Sequence, residues 1–167
     1  SLSERRAEVY VHEQFAGMSR DTKYSYSLEK VVNLLDTYMT FPIIEKVKLF
    51  RLILFNFLVG NEDAHLKNYS LIVRKGKQEL SPCYDLLNST LALGIGSFEE
   101  SALPLAGKKR NFTKNDFFRY LAGERLDLTR KVMSSIAEEM EQRLTKWELL
   151  IKAGFLSPDR ACFCSAR

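Results

Sequence analysis

The residues best suited to chemistry lie in one short polar segment and just beyond the segment that follows it. Asp63 and Asn68 belong to the string Gly-Asn-Glu-Asp-Ala-His-Leu-Lys-Asn at 60–68, and Asp85 ends the later string Ser-Pro-Cys-Tyr-Asp. Phosphoryl transfer from ATP needs a carboxylate that orients the acceptor hydroxyl and oxygen ligands for the magnesium ions on the phosphates. Magnesium prefers carboxylate and amide oxygens. The three side chains therefore predict a site for phosphoryl transfer.

Each polar side chain of this group has an expected role. Asp63 is predicted to be the base or orienting group, and Asn68 and Asp85 are predicted to be metal ligands. Lys67 is expected to neutralise phosphate charge, and His65 to brace the loop by hydrogen bonding. The competing interpretation is that these are ordinary loop and turn residues, because Asp and Asn are common there. A D-x-x-x-x-N spacing alone is weakly specific, so the prediction depends on the two complete strings.

A buried helix and a β-hairpin are the elements that must position these residues. Apolar residues at helical spacing predict a helix over 42–60 that is apolar on nearly all sides. Strand-like runs on either side of a Lys-Gly-Lys turn predict a hairpin within 69–80. The helix would aim Asp63 at a substrate, and the hairpin would return the chain so that Asp85 lies across a metal from Asn68.

Further helices are predicted on both sides of this region. Ser27 is placed to cap one helix, and Thr113 with Asp116 forms the Asp variant of a capping box. A long helix is predicted over 128–153, and a short strand over 101–106. The segment 4–17 fits a strand or a helix equally well. These patterns predict a fold that is mainly α with a small β-hairpin.

The composition is that of one globular domain. The chain has 167 residues, of which 46% are hydrophobic and 28% charged, enough for one sizeable core. A net charge of +4 is too small to predict nucleic-acid binding. Charged residues interrupt the most apolar stretch, 41–60, which argues against a membrane span. Three cysteines without further ligands nearby predict free thiols in a reducing cytosol, with Cys83 buried.

The two strings carry a resemblance to a known family. The pattern N-x-D-x-H-x-K-N at 61–68 and the pattern P-x-Y-D at 82–85 resemble the C-terminal domain of the HipA-like kinases, which are toxin components of bacterial toxin–antitoxin pairs. The resemblance extends over nearly the whole chain. It includes Lys23-Tyr24, Leu-Ala-Gly-Lys-Lys at 105–109, and the stretch 147–157.

This resemblance implies a serine/threonine kinase that uses ATP and Mg²⁺ in the cytoplasm, with residues 1–167 as its protein-kinase-like C-terminal lobe. Carried over by motif position, it makes Asp63 the catalytic aspartate and makes Asn68 and Asp85 the magnesium-binding residues. His65 and Lys67 also match motif positions. The implied partners are a protein substrate, such as an aminoacyl-tRNA synthetase, and a DNA-binding antitoxin. No direct contact with nucleic acid or membrane is expected.

The chain also departs from the family pattern. A glycine-rich phosphate loop and a strand-borne lysine that grips the nucleotide are not found before Asp63. We therefore expect the nucleotide-covering lobe to be absent from this chain, and the fragment alone to be inactive. One alternative is a catalytically incomplete kinase fragment that acts as a protein-binding module. Another is a metal-dependent phosphoesterase using Asp63, His65 and Asp85, which the single central histidine disfavours.

Overall fold

The fold is mainly helical, with one small antiparallel sheet. The computed structural model describes residues 8–10, 26–88 and 99–153. The elements in chain order are β1 (Glu8–Tyr10), α1 (Leu28–Tyr38), α2 (Pro42–Val59), a 3₁₀ turn (Leu66–Asn68), β2 (Leu71–Arg74), β3 (Lys77–Leu80), the π-helical α3 (Asp116–Arg125) and α4 (Arg130–Ala153). The prediction of a mainly α fold with a small hairpin is confirmed.

Helix α2 forms the centre of the core, as its apolar sequence predicts. Proline lies in its first turn, where the missing N–H has no partner to lose. Leu49 and Phe50 are fully buried. Gly60 ends the helix in the left-handed conformation, with φ of 69°. The expectation that the helix is buried nearly all round fails in its first turn, where Ile43 is 78% exposed and Ile44 54% exposed.

The predicted hairpin is the central and edge pair of a three-stranded antiparallel sheet in the order β1-β2-β3. Leu71 pairs with Leu80 and Arg74 with Lys77, so the connecting loop has only two residues, Lys75 and Gly76. Both have positive φ, as two-residue hairpin turns of the primed types require. The third strand, β1, lies within 4–17, where the sequence pattern favoured neither strand nor helix.

Two contacts fix the hairpin to the start of α2. The main chain of Thr40 donates to the carbonyl of Gln78 at 3.0 Å, and the Gln78 N–H donates to the Thr40 hydroxyl at 2.8 Å. The carboxylate of Glu45, which is only 2% exposed, accepts from the Leu80 N–H at 2.8 Å and from the Lys48 ammonium at 2.7 Å. The end of β3 is thereby held against the helix.

The flanking helices begin where their capping residues allow. The Ser27 hydroxyl accepts from the Lys30 N–H at 3.4 Å, which confirms the predicted cap of α1. Helix α4 begins at Arg130 rather than at Leu128, because the Leu128 N–H donates to the Ala122 carbonyl and Thr129 provides the cap. In the part of the chain that the structure describes, no helix is long and apolar enough to cross a membrane.

Two local predictions are wrong. The segment 101–106 is not a strand; Leu105 makes only an isolated pairing with Lys108, because a turn with positive φ at Ala106 and Gly107 reverses the chain there. Cys83 is exposed and not buried, since the chain leaves the sheet after β3 and runs along the surface.

The predicted capping box at the start of α3 forms in modified form. The Asp116 carboxylate accepts from the Thr113 N–H at 2.6 Å and from the Thr113 hydroxyl at 2.7 Å. It also accepts from the Lys108 ammonium at 2.7 Å. The bond from Lys108, with those from Thr113, outweighs burial and holds the pKa of Asp116 below its ordinary value. The carboxylate therefore stabilises the fold in its ionised form.

We predict that Asp116→Asn lowers the free energy of unfolding at neutral pH by about 1–2 kcal/mol, the usual size of a lost cap. A carboxylate with a depressed folded-state pKa contributes fully above its unfolded pKa of about 3.9, and the contribution is lost as the pH falls through the lower folded value. Urea unfolding from pH 7 to pH 3 should show the difference from wild type shrinking below about pH 4. Asp127→Asn, at an exposed position, is the control; an equal effect there would contradict the assignment.

A second prediction concerns the contact between Glu45 and β3. Glu45→Ala leaves the buried Leu80 N–H without its acceptor, and we expect a loss of about 1–3 kcal/mol in urea unfolding. Hydrogen exchange at the Leu80 amide should accelerate in the same variant. Glu138→Ala, at an exposed position on α4, is the matched control. Unchanged exchange at Leu80 would show that the carboxylate does not hold the strand.

Candidate active site

The segment between α2 and β2 is mostly buried, although it is rich in polar residues. Asn61, Glu62 and Asn68 are each less than 9% exposed, whereas Asp63 is exposed. Buried polar groups require hydrogen-bond partners, so this segment has a fixed conformation. The left-handed end of α2 turns the chain into it, and the 3₁₀ turn leads it out into β2.

Asn68 and Asp85, the two predicted metal ligands, are in contact. The Asn68 amide nitrogen donates to Oδ2 of Asp85 at 3.2 Å. The other amide atom, Oδ1 of Asn68, is buried and accepts no hydrogen bond from any residue that the structure describes. Asp85 is exposed and has a positive φ of 58°. The hairpin therefore returns the chain so that the Asp85 carboxylate lies beside the Asn68 amide, whose nitrogen faces the carboxylate and whose oxygen lacks a partner.

These two side chains fit a hard cation. A buried acceptor without a partner costs free energy, and a bound cation would remove that cost. Mg²⁺ is typically held by one or two carboxylates, with the remaining positions filled by water and phosphate oxygens. Among the described residues no cluster of three or more His, Cys, Asp or Glu could hold a metal. The donor set suits a magnesium ion that keeps part of its water shell and not a zinc centre.

The other three predicted residues lie on the same loop. The exposed Asp63 accepts at its carbonyl from the His65 N–H at 2.7 Å. His65 is 9% exposed, and its own carbonyl accepts from the Asn68 N–H at 2.9 Å. Lys67 is half-buried. The burial of His65 favours the bracing role, and the exposure of Asp63 leaves its carboxylate accessible to a substrate.

Tyr84, which had no predicted role, connects the two segments of the site, which are the loop that carries Asn68 and the segment that carries Asp85. Its hydroxyl donates to the carbonyl of Lys67 and accepts from the hydroxyl of Ser70. The Ser70 hydroxyl oxygen lies 3.1 Å from the same carbonyl. The Tyr-Asp pair of the second string was the available signal, because it places the aromatic side chain next to a predicted ligand.

Two buried asparagines, Asn61 and Asn56, also had no predicted role; they contact the site from the protein interior. The Asn61 amide nitrogen donates to Oδ1 of Asn56 at 3.1 Å and to the main-chain carbonyl of Asp85 at 3.1 Å. Tyr69 is buried beside Asn56, and burial raises the pKa of its hydroxyl. Asn61 belongs to the first string; Asn56 lies within an apolar helix, where a polar residue that is buried needs an explanation.

The sequence of the chain matches a profile of the HipA-like C-terminal domain over residues 5–147. The chain therefore belongs to the family of HipA-like C-terminal domains. This agrees with the protein-kinase-like arrangement of the loop, the hairpin and the aspartate that follows them.

Individual relatives support the same family. A Haemophilus influenzae protein named "Putative kinase" is 25% identical over 162 residues, which are 87% of this chain and 47% of the relative. The serine/threonine-protein kinase toxin HipA of Shewanella oneidensis is 28% identical over 128 residues, which are 73% of this chain and 28% of the toxin. The chain thus spans about half the length, or less, of these relatives.

A solved structure shares the fold. The match is to a chain in the complex of the Shewanella oneidensis MR-1 toxin–antitoxin proteins HipA and HipB with their operator DNA. The TM-score is 0.75 with 22% sequence identity, and the match covers 99% of this chain and 43% of the other.

We predict that Tyr84→Phe weakens the contact between the two segments of the site, the one that carries Asp85 and the loop that carries Asn68. The change removes one hydroxyl and keeps the ring, so the expected loss in urea unfolding is about 0.5–1 kcal/mol. Amide exchange should accelerate at Ser81, whose N–H donates to the Ser70 carbonyl at 2.8 Å, more than in α1. Tyr26→Phe, at a tyrosine outside the site, is the control. Equal exchange in wild type and Tyr84→Phe would remove the hydroxyl from this role.

Proposed function

We propose that this chain is the C-terminal, catalytic-loop lobe of a cytoplasmic serine/threonine protein kinase of the HipA toxin type. The observation that carries the proposal is the contact between Asn68 and Asp85, with the buried Oδ1 of Asn68 left without a hydrogen-bond partner. Amide and carboxylate oxygens suit magnesium, and magnesium with ATP is the usual pairing in phosphoryl transfer. Membership in the HipA-like family supports the same activity.

In this proposal Asp63 acts on the acceptor. Its exposed carboxylate accepts a hydrogen bond from the serine or threonine hydroxyl of the protein substrate and receives the hydroxyl proton as the bond to phosphorus forms. The γ-phosphoryl group passes from ATP to that oxygen, and ADP leaves with the bonding electron pair. Lys67 offsets negative charge on the phosphates, and the buried His65 keeps the loop in its observed conformation.

Asn68 and Asp85 would hold magnesium, which neutralises phosphate charge and orients the transferred group. Their own contribution is to present two oxygens from segments that are far apart in the chain. The Asn68 side chain is fixed by its burial, and Asp85 is exposed to solvent. The Asn68 amide nitrogen faces the Asp85 carboxylate, so binding of one cation by both side chains would require rotation of the Asn68 amide.

The proposal assigns residues 1–167 to one lobe and assigns the nucleotide-covering lobe to a different part of the protein. The greater length of the relatives supports this division. An antitoxin protein is the proposed partner, since the similar fold was solved in the complex of HipA with HipB and operator DNA. The proposed substrate is a protein; an aminoacyl-tRNA synthetase is the first to test, because of the resemblance described above.

The test is transfer of radiolabelled phosphate from ATP to protein hydroxyls by the full-length protein. Asp63→Asn should lower the rate by about 10²- to 10⁴-fold, the usual contribution of a positioned proton acceptor. Asp85→Asn should instead raise the magnesium concentration needed for half-maximal activity, because it removes a charged ligand. Asp127→Asn is the matched control for the loss of an exposed carboxylate, and we expect wild-type rates.

Undiminished transfer in Asp63→Asn would rule out its proposed role. A full-length protein that transfers no phosphate under any magnesium concentration, yet binds an antitoxin, would instead favour the alternative of a catalytically incomplete protein-binding module.

A further inference from the structure

We infer that Asn61 and Asn56 are positioning residues, which fix the main chain of Asp85 and through it the carboxylate proposed to bind metal. The inference rests on the proposed function, since it concerns the same cation site. It goes beyond that function because neither Asn61 nor Asn56 is a proposed metal ligand. Both act from behind the site, through a buried hydrogen-bond relay.

One amide group makes the two bonds that define the relay. Each of the two N–H groups of Asn61 Nδ2 has its own acceptor: Oδ1 of Asn56 at 3.1 Å and the carbonyl of Asp85 at 3.1 Å. The carbonyl of Asp85 can only accept, so the nitrogen and not the oxygen of the Asn61 amide must face it. The donor capacity of this nitrogen is then fully used.

Burial makes these bonds specific. Asn61 is 4% exposed and Asn56 is 5% exposed, so bulk water has little access to either side chain. The buried Tyr69 lines the same small cavity as the two asparagines. Hydrogen bonds in such an environment are stronger than in water, and an unsatisfied member is costly. The relay therefore has one low-energy arrangement.

Asp85 is the residue that needs an anchor. It is exposed, it lies in a segment without regular secondary structure, and its φ of 58° is a conformation that L-residues seldom adopt. Two asparagines of one loop hold its two ends: Asn61 contacts its carbonyl, and Asn68 contacts its carboxylate. Asn56 belongs to the buried helix α2, so the relay fixes the position of Asp85 relative to the protein core.

The test is Mn²⁺ binding to the full-length protein, measured by electron paramagnetic resonance. Loss of groups that orient metal ligands typically weakens metal binding about 10- to 100-fold, and we expect Asn61→Ala to fall in that range. Asn56→Leu keeps the branched shape of the side chain and removes the acceptor of one Asn61 N–H, so the Mn²⁺ affinity of this variant should lie between those of wild type and Asn61→Ala. In an Asp85→Asn background, Asn61→Ala should cause no further loss, because both changes act on the same ligand.

Ile136→Val provides the control for stability. This residue of α4 is 1% exposed, so the variant should unfold at a lower temperature while it binds Mn²⁺ as wild type does. If Asn61→Ala does not fold, Mn²⁺ binding is measured on Asn56→Leu instead, and its unfolding curve shows whether that variant is folded. Wild-type affinity in both asparagine variants, together with weak binding in Asp85→Asn, overturns the relay and leaves the proposed function standing. Equal affinity in wild type and Asp85→Asn would instead reject the proposed metal site, and with it the relay.

Discussion

Both segments of the site, the loop that carries Asn68 and the segment that carries Asp85, are attached to helix α2. Its left-handed end at Gly60 turns the chain into the loop that carries Asn68. Its first turn holds the end of β3 through the buried carboxylate of Glu45, and Asp85 follows β3 along the chain. The amide and the carboxylate thus meet because both segments are fixed to one buried helix. A displacement of α2 as a rigid body would therefore move both segments together and preserve the contact between Asn68 and Asp85.

Features governed by local chemistry could be predicted from the sequence. Pro42 and Gly60 mark the ends of α2 because one residue lacks an N–H and the other accepts positive φ. The hairpin follows from strand-like runs on either side of a Lys-Gly-Lys turn, and the cap at Ser27 from the chemistry of helix caps. The candidate site was predicted from residue type and spacing. The structure places two of its side chains, Asn68 and Asp85, in hydrogen-bond contact, and their role as metal ligands stays a prediction.

Features that depend on distant partners could not be predicted. Strand β1 is too short to show a period, and its pairing partner β2 lies far away in the chain. Glu45 resembles any charged residue of a first helical turn until the Leu80 N–H is placed beside it. The same is true of Asn61, whose two acceptors come from a helix and from the segment beyond the hairpin. Cys83 was misjudged because its neighbours in sequence say little about which side of the chain faces water.

The left-handed backbone at Asp85 has a consequence for which amino acids the position can accept. Glycine, asparagine and aspartate tolerate positive φ best, and bulkier residues are strained there. A negatively charged oxygen ligand restricts the choice differently, to aspartate or glutamate. Only aspartate belongs to both sets. Glutamate would keep the charge and strain the main chain, whereas asparagine would keep the main chain and lose the charge. In the proposed function, two independent requirements, one steric and one electrostatic, would therefore select a single residue type.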